Sequence, residues 1–142
     1  MAIIFISNNI TYKLSNRRKI KAWINEIVKS NGLSVGEIAY IFCNDKYILD
    51  TNKEYLNHNY YTDIITFDYS NKFEISGDIF ISIETVSFNT KIYNTTFENE
   101  LLRVMIHGIL HLIGFNDKTA SQRKIMHKKE NEALKVYNEV YG

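Results

Sequence analysis

The sequence predicts an α+β fold: a small four-stranded mixed sheet packed with about five helices. Three observations carry that reading. In the first half of the chain, short β-branched and aromatic runs alternate with amphipathic stretches. Beyond residue 84 the pattern is helical throughout. One stretch, from Leu101 to Ile113, is apolar nearly all round, which marks a helix buried at the centre of a fold. With 142 residues, 45% of them hydrophobic and 23% charged, the chain is expected to bury one core as a single domain over 1–142.

Ala2 to Ser7 is apolar and β-branched, a short buried strand. Ser15 offers a helix cap, and Ile20, Trp23, Ile24, Ile27 and Val28 follow at helical spacing until Asn31 and Gly32 stop the helix. Gly36 to Cys43 is the second strand. A strand, a helix and a strand in this order predict a right-handed parallel crossover. Asp45 to Tyr55 reads as a polar helix, Thr62 to Tyr69 as the third strand and Lys72 to Ser76 as a loop. Asp78 to Ile83 is the fourth strand, expected antiparallel to the third, and Glu84 to Tyr93 the next helix. Thr95 or Thr96 caps the central helix, whose first turn carries Glu98 and Glu100 where the helix dipole favours them. Gly114 ends it. Ser121 to Tyr141 is a last amphipathic helix with Met126, Ala133, Leu134, Tyr137 and Val140 on its inner side.

Composition excludes several classes. The net charge of +1 provides no strong field toward nucleic acid or membrane, and the basic runs at Arg17–Lys21 and Arg123–Lys129 read as solvated helix faces. The longest apolar stretch, Val104 to Phe115, is interrupted by two histidines and is too short to span a bilayer. The opening apolar run is too short for a secretory leader, and the single cysteine, Cys43, forms no internal disulfide. A cytoplasmic protein is therefore expected, with no membrane partner and working as a monomer.

The central helix carries the chemistry. It reads His107-Gly108-Ile109-Leu110-His111-Leu112-Ile113-Gly114-Phe115-Asn116-Asp117. Histidines at i and i+4 share one helix face, so both imidazoles reach one ion. Gly114 tolerates positive φ, and a sharp turn there brings Asp117 toward the same ion. Two nitrogens and one oxygen leave a position open for water, the pattern of a catalytic zinc site with one ion per chain. The competing readings are two hydrogen-bonded core histidines, and Asp117 as the cap of the last helix. Asn116 is the neighbouring oxygen donor. Asp117 is preferred because a dication favours a full negative charge over a neutral amide.

The spacing H-x-x-x-H-x-x-G-x-x-D is similar to the zinc site of the metzincin proteases, so the helix is zincin-like. Those enzymes place a glutamate general base directly after the first histidine, where this chain has Gly108. From His107 to Gly114 the chain matches the H-G-x-L-H-L-x-G-Y-D-H signature of the YbeY family of bacterial endoribonucleases, which it resembles. Phe115 stands for the tyrosine, Asn116 for the aspartate and Asp117 for the third histidine. Thr62 to Phe67 is similar to the family's T-D-V-L-S-F strand, Gly77 to Ile79 to its G-D-I strand, and Asn52 to Tyr55 with Asn59 to its L-N-x-x-Y-R-x-x-D segment. The resemblance covers roughly residues 40 to 120. It implies a zinc-dependent hydrolase that cuts single-stranded RNA in the maturation and quality control of ribosomal RNA, with the small ribosomal subunit as partner.

The family arginine after the tyrosine aligns with Leu56. Arg103, four residues before His107 on the face that carries the metal, is the candidate to contact substrate phosphate in its place. Its alternative is a pair with Glu98 or Glu100. No general acid or base is assigned; Asp63, Asp78, Glu100 and His58 are unranked candidates. His127 is expected on the solvent face of the last helix. The rival functions are a zinc metalloprotease or other metal hydrolase on the same site, and a non-catalytic ribosome-assembly factor.

Overall fold

Four strands, Ala2–Ser7 (β1), Ser34–Cys43 (β2), Ile64–Asp68 (β3) and Glu74–Ser82 (β4), pair in the order β1-β2-β4-β3. The computed structural model describes residues 2–56 and 63–142, with side chains for all of these but 53–56. β1 runs parallel to β2, and β2 parallel to β4; β3 is antiparallel to β4. The mixed sheet, the parallel pairing of the first two strands and the β3–β4 hairpin agree with the sequence reading. Helices Arg17–Ser30 (α1), Asp45–Leu56 (α2), Ile83–Ile92 (α3) and Phe97–Ile113 (α4) pack on the sheet, Ala120–Val136 (α5) packs on α4, and a π-helical turn, Tyr137–Tyr141, follows α5.

Strand alternation divides the apolar side chains between two cores. Ile38, Tyr40 and Phe42 of β2 join Ile75, Ile79 and Ile81 of β4 in the main core, with Trp23 and Ile24 of α1 and Met105 and Ile109 of α4. Cys43 of β2 and Ile65 of β3 form a small cluster with Ile48 of α2. Burial and the nearby charge of Asp45 push the Cys43 thiol up to about 12, so it packs as a small hydrophobe.

Two buried polar groups anchor the main core. The Trp23 Nε1–H donates to the carbonyl of Ala133 at 2.8 Å, tying α1 to α5. The Tyr40 hydroxyl donates to the carbonyl of Met105 at 2.9 Å, tying β2 to α4. Each satisfies a group whose burial without a partner is costly.

Gly108 sets how closely α4 approaches the sheet. A Cβ there would stand 3.0–3.1 Å from the side chains of Ile79 and Ile64, tighter than ordinary contact. The glycine thus seats the histidine-bearing helix directly on β3 and β4.

Several boundaries differ from the sequence reading. Ser15 is not the cap of α1. Asn16 takes that place with φ 59°, a left-handed conformation asparagine tolerates, and makes no side-chain cap bond. Residues 74–76, expected in a loop, open β4, because Ser34 and Val35 of β2 continue far enough to pair with Glu74 and Ile75. β3 is shorter than expected; Thr62, its expected start, lies outside the described residues. Thr96 caps α4, accepting the Asn99 N–H at 3.1 Å. The last helix begins at Ala120 and gives way to the π-helical turn, which leaves Val140 exposed rather than on the inner side.

Candidate metal centre and cleft

Between Asn99 and Leu112, α4 is buried except for Asn99, Arg103, His107 and His111. These four recur at every fourth position, one narrow strip along the helix. All other side chains in that interval, Glu100 included, are buried. The strip follows from the local sequence, since apolar residues fill every other direction around the helix.

At the C-terminal end of the strip, Gly114 adopts φ 126° and closes the helix with its N–H on the carbonyls of His111 and Leu110. The chain then reverses and brings Asp117 back over the histidines. His107 Nε2 lies 3.0 Å from His111 Nε2. The Asp117 carboxylate Oδ2 lies 3.2 Å from His111 Nε2 and 3.3 Å from His107 Nε2. Ligand atoms bound at about 2.05 Å to a tetrahedral ion stand about 3.3 Å apart, so this triangle has the dimensions of three tetrahedral positions. The donor set, two imidazole nitrogens and a carboxylate oxygen, is able to bind a metal ion.

The loop is fixed independently of the triangle. The Arg123 guanidinium donates to the carbonyl of Lys118 at 3.0 Å and, at 3.4 Å, to that of Asp117. Asp117 is not the cap of α5. That role belongs to Thr119, whose hydroxyl accepts the Gln122 N–H while the Gln122 side chain accepts the Thr119 N–H, a reciprocal capping box. Asn116 is exposed.

One residue of the site was missed in the sequence. Glu130 of α5 is 6% exposed and accepts from His107 Nδ1 at 2.6 Å through Oε2. Its other oxygen accepts from Arg103 Nη1 at 3.0 Å. Arg103 Nη2 donates to the Asn131 side chain at 2.7 Å, so its partners lie on α5 and not at Glu98 or Glu100. Burial pushes the Glu130 carboxyl up, but the bond and charge of His107, followed by those of Arg103, outweigh it and hold Glu130 below its ordinary value. For His107, burial disfavours the charged form, and Glu130, then Asp117 and Asp63, more than offset it; the net shift is upward. A signal for Glu130 was available: it lies four residues after Met126 and four before Leu134, a carboxylate on the apolar stripe of an amphipathic helix.

Asn99, Arg103 and His107 of the strip border a cleft of about 630 Å³, with Asp63, Tyr93, Glu100 and Glu130 among its other lining residues; His111 and Asp117 lie outside that lining. Burial and the charge of Asp63 hold the Glu100 carboxyl above its usual range, against the opposing pull of Arg103. His127 also borders the cleft while its side chain is 66% exposed, with Nδ1 4.0 Å from Glu130 Oε1. Of the unranked acid–base candidates, Asp63 and Glu100 border this cleft. Asp78 instead accepts the Tyr69 hydroxyl at 3.4 Å on the β3–β4 hairpin, outside the cleft lining. His58 lies outside the described residues, and of Leu56 only the backbone is described.

The chain is similar to known proteins over almost its whole length. The family model described as Endoribonuclease YbeY matches residues 5–138. Endoribonuclease YbeY of Parabacteroides distasonis is 45% identical over 139 residues, covering 98% of each chain. The protein of the same name from Bacteroides fragilis is 49% identical over 134 residues, 94% of this chain and 96% of its own. The solution structure of a Thermotoga maritima protein superposes with a TM-score of 0.68 at 26% identity, covering 97% of this chain and 91% of that one. A fold shared over almost the full length, and sequence identity over the same span, establish that the chain belongs to the YbeY endoribonuclease family.

Proposed function

We infer that this chain, as a single domain over 1–142, is a zinc-dependent endoribonuclease, a hydrolase that cuts single-stranded RNA in the maturation and quality control of ribosomal RNA. One ion per chain is held by His107 Nε2, His111 Nε2 and Asp117 Oδ2. The observation that carries this reading is the near-equilateral triangle of those three atoms, one of whose corners, His107, also borders the cleft. A zinc ion held by these residues would supply an activated water near neutral pH and electrostatic stabilisation of a phosphodiester oxygen.

The chain's own groups do the rest. Asp117 brings a negative charge that a neutral amide at Asn116 does not. Arg103, which borders the cleft, has more N–H donors than its bonds to Glu130 and Asn131 use, so donors remain for a phosphate entering the cleft. Position 108 argues against a protease. A side chain there starts against Ile79 and Ile64 and points into the sheet, so α4 has no room for the glutamate base of the metzincins.

Among the described residues no helix is long and apolar enough to cross a membrane. The proposed setting is the cytoplasm, with the small ribosomal subunit as partner and the protein acting as a monomer. The test is incubation of metal-quantified protein, purified without a histidine tag, with single-stranded RNA, duplex RNA and casein. Chelator-sensitive cleavage of the single strand alone supports the reading. Cleavage of casein without cleavage of RNA overturns it.

A further inference from the structure

We propose that Glu130 is the positioning residue of the metal centre: its carboxylate holds the Nδ1–H of His107 and so presents Nε2 to the ion. The proposal rests on His107 being a ligand and goes beyond that reading, because Glu130 lies on a helix that supplies no ligand.

The geometry uses both oxygens of Glu130 for different tasks. Oε2 meets His107 Nδ1 at 2.6 Å, while Oε1 meets Arg103 Nη1 at 3.0 Å. A carboxylate gripped at both oxygens does not rotate freely, and neither does the ring it holds. The two nitrogens of an imidazole are distinct, and the one not bonded to an acceptor becomes the metal ligand. With Nδ1 committed to Glu130, Nε2 is the nitrogen left, and Nε2 is the corner of the triangle with His111 and Asp117. Acceptance of the Nδ1 proton by a carboxylate also makes Nε2 a better electron donor.

Burial makes this arrangement specific. Glu130 is 6% exposed, and a carboxylate in such a place is costly unless paired. It is paired on the cleft side by Arg103 and His107, with His127 at 4.0 Å. Arg103 therefore acts on the metal centre through Glu130, in addition to any contact with substrate. His111 is held differently. Among the described residues its ring bonds only through Nε2, toward the other two ligand atoms, so no residue braces it from behind.

A merely structural salt bridge between α4 and α5 would predict lost stability and nothing more. The test is therefore zinc affinity by chelator competition, on protein shown by circular dichroism to be folded. Glu130→Ala is expected to lose tenfold to a hundredfold in zinc affinity. Glu130→Gln is expected to lose less than Glu130→Ala, since its amide oxygen still accepts the Nδ1–H. Nitrogen NMR of His107 in metal-free protein reads the same feature: one Nδ1–H tautomer in the parent, a mixture in Glu130→Ala. Zinc affinity within twofold of the parent in Glu130→Ala, with affinity lost in His111→Ala, overturns this proposal alone. Affinity unchanged in both His107→Ala and His111→Ala overturns the ligand assignment beneath it. Should Glu130→Ala fail to fold, Glu130→Met, which fills a similar volume without an oxygen acceptor, decides: an unchanged tautomer together with zinc affinity within twofold of the parent overturns the proposal.

Discussion

The two sides of α4 are built on different logic. The side against the sheet is a continuous apolar surface, with Met105, Ile106 and Ile109 fully buried and Gly108 in close contact with Ile79 and Ile64. The other side is a strip one residue wide, Asn99, Arg103, His107 and His111, in which the last three take partners from α5 and from the turn after Gly114. The packed side holds the helix rigid, and rigidity is what a metal centre needs to keep three donors at fixed separation. The comparison therefore assigns stability to one side and chemistry to the other, and substitutions should separate them.

The largest effect is expected at Gly108. Gly108→Glu forces a carboxylate into the contact with β3 and β4, combining overpacking with burial of an unpaired charge. A loss of at least about 3 kcal/mol is expected, read by urea unfolding. A soluble, fully stable Gly108→Glu protein would show that α4 is not seated as described. Ile109→Ala comes next, at about 2–5 kcal/mol for a fully buried side chain, with zinc stoichiometry unchanged in the folded fraction. Loss of zinc at full stability would break the division between the two sides.

Tyr40→Phe removes the hydroxyl that donates to the carbonyl of Met105 and should cost about 1–2 kcal/mol. On the cleft side, Arg103→Ala should leave the core intact while flattening the salt dependence of RNA binding by about one phosphate contact. An unchanged slope would confine Arg103 to its bond with Glu130. The smallest effect is a pH-dependent one at Glu100. Burial, with Asp63 adding to it, raises this carboxyl, so the unfolded chain ionises first as pH rises and the folded state loses stability between the unfolded and folded values. Glu100→Gln should therefore raise Tm slightly at neutral pH and leave it nearly unchanged near pH 3. A gain at pH 3 equal to that at neutral pH would contradict this.

The sequence made one side of α4 far more legible than the other. Periodicity alone located the buried helix, and i,i+4 spacing with a glycine three residues on located His107, His111 and the turn to Asp117. These are local signals, carried within eleven consecutive residues. Glu130 was not legible in that way, since its partner is His107, 23 residues earlier on another helix, and only its place on an apolar stripe hinted at it. The start of β4 was misjudged for a related reason. Residues 74–76, expected in a loop, join the strand because Glu74 and Ile75 pair with Ser34 and Val35 of β2. Asn16 replaced Ser15 at the start of α1 because a left-handed turn, not a side-chain cap, begins that helix. For Glu130 and for β4 the deciding contact is tertiary.

The central claim is that the two histidines of the half-buried strip of α4 and Asp117 in the turn beyond it form one metal centre. Metal content of protein purified without a tag tests it most directly. The account predicts close to one equivalent of zinc in the parent and in Asn116→Ala, a large loss in His107→Ala, His111→Ala and Asp117→Ala, and recovery in Asp117→His. Full occupancy in Asp117→Ala with loss in Asn116→Ala would contradict it.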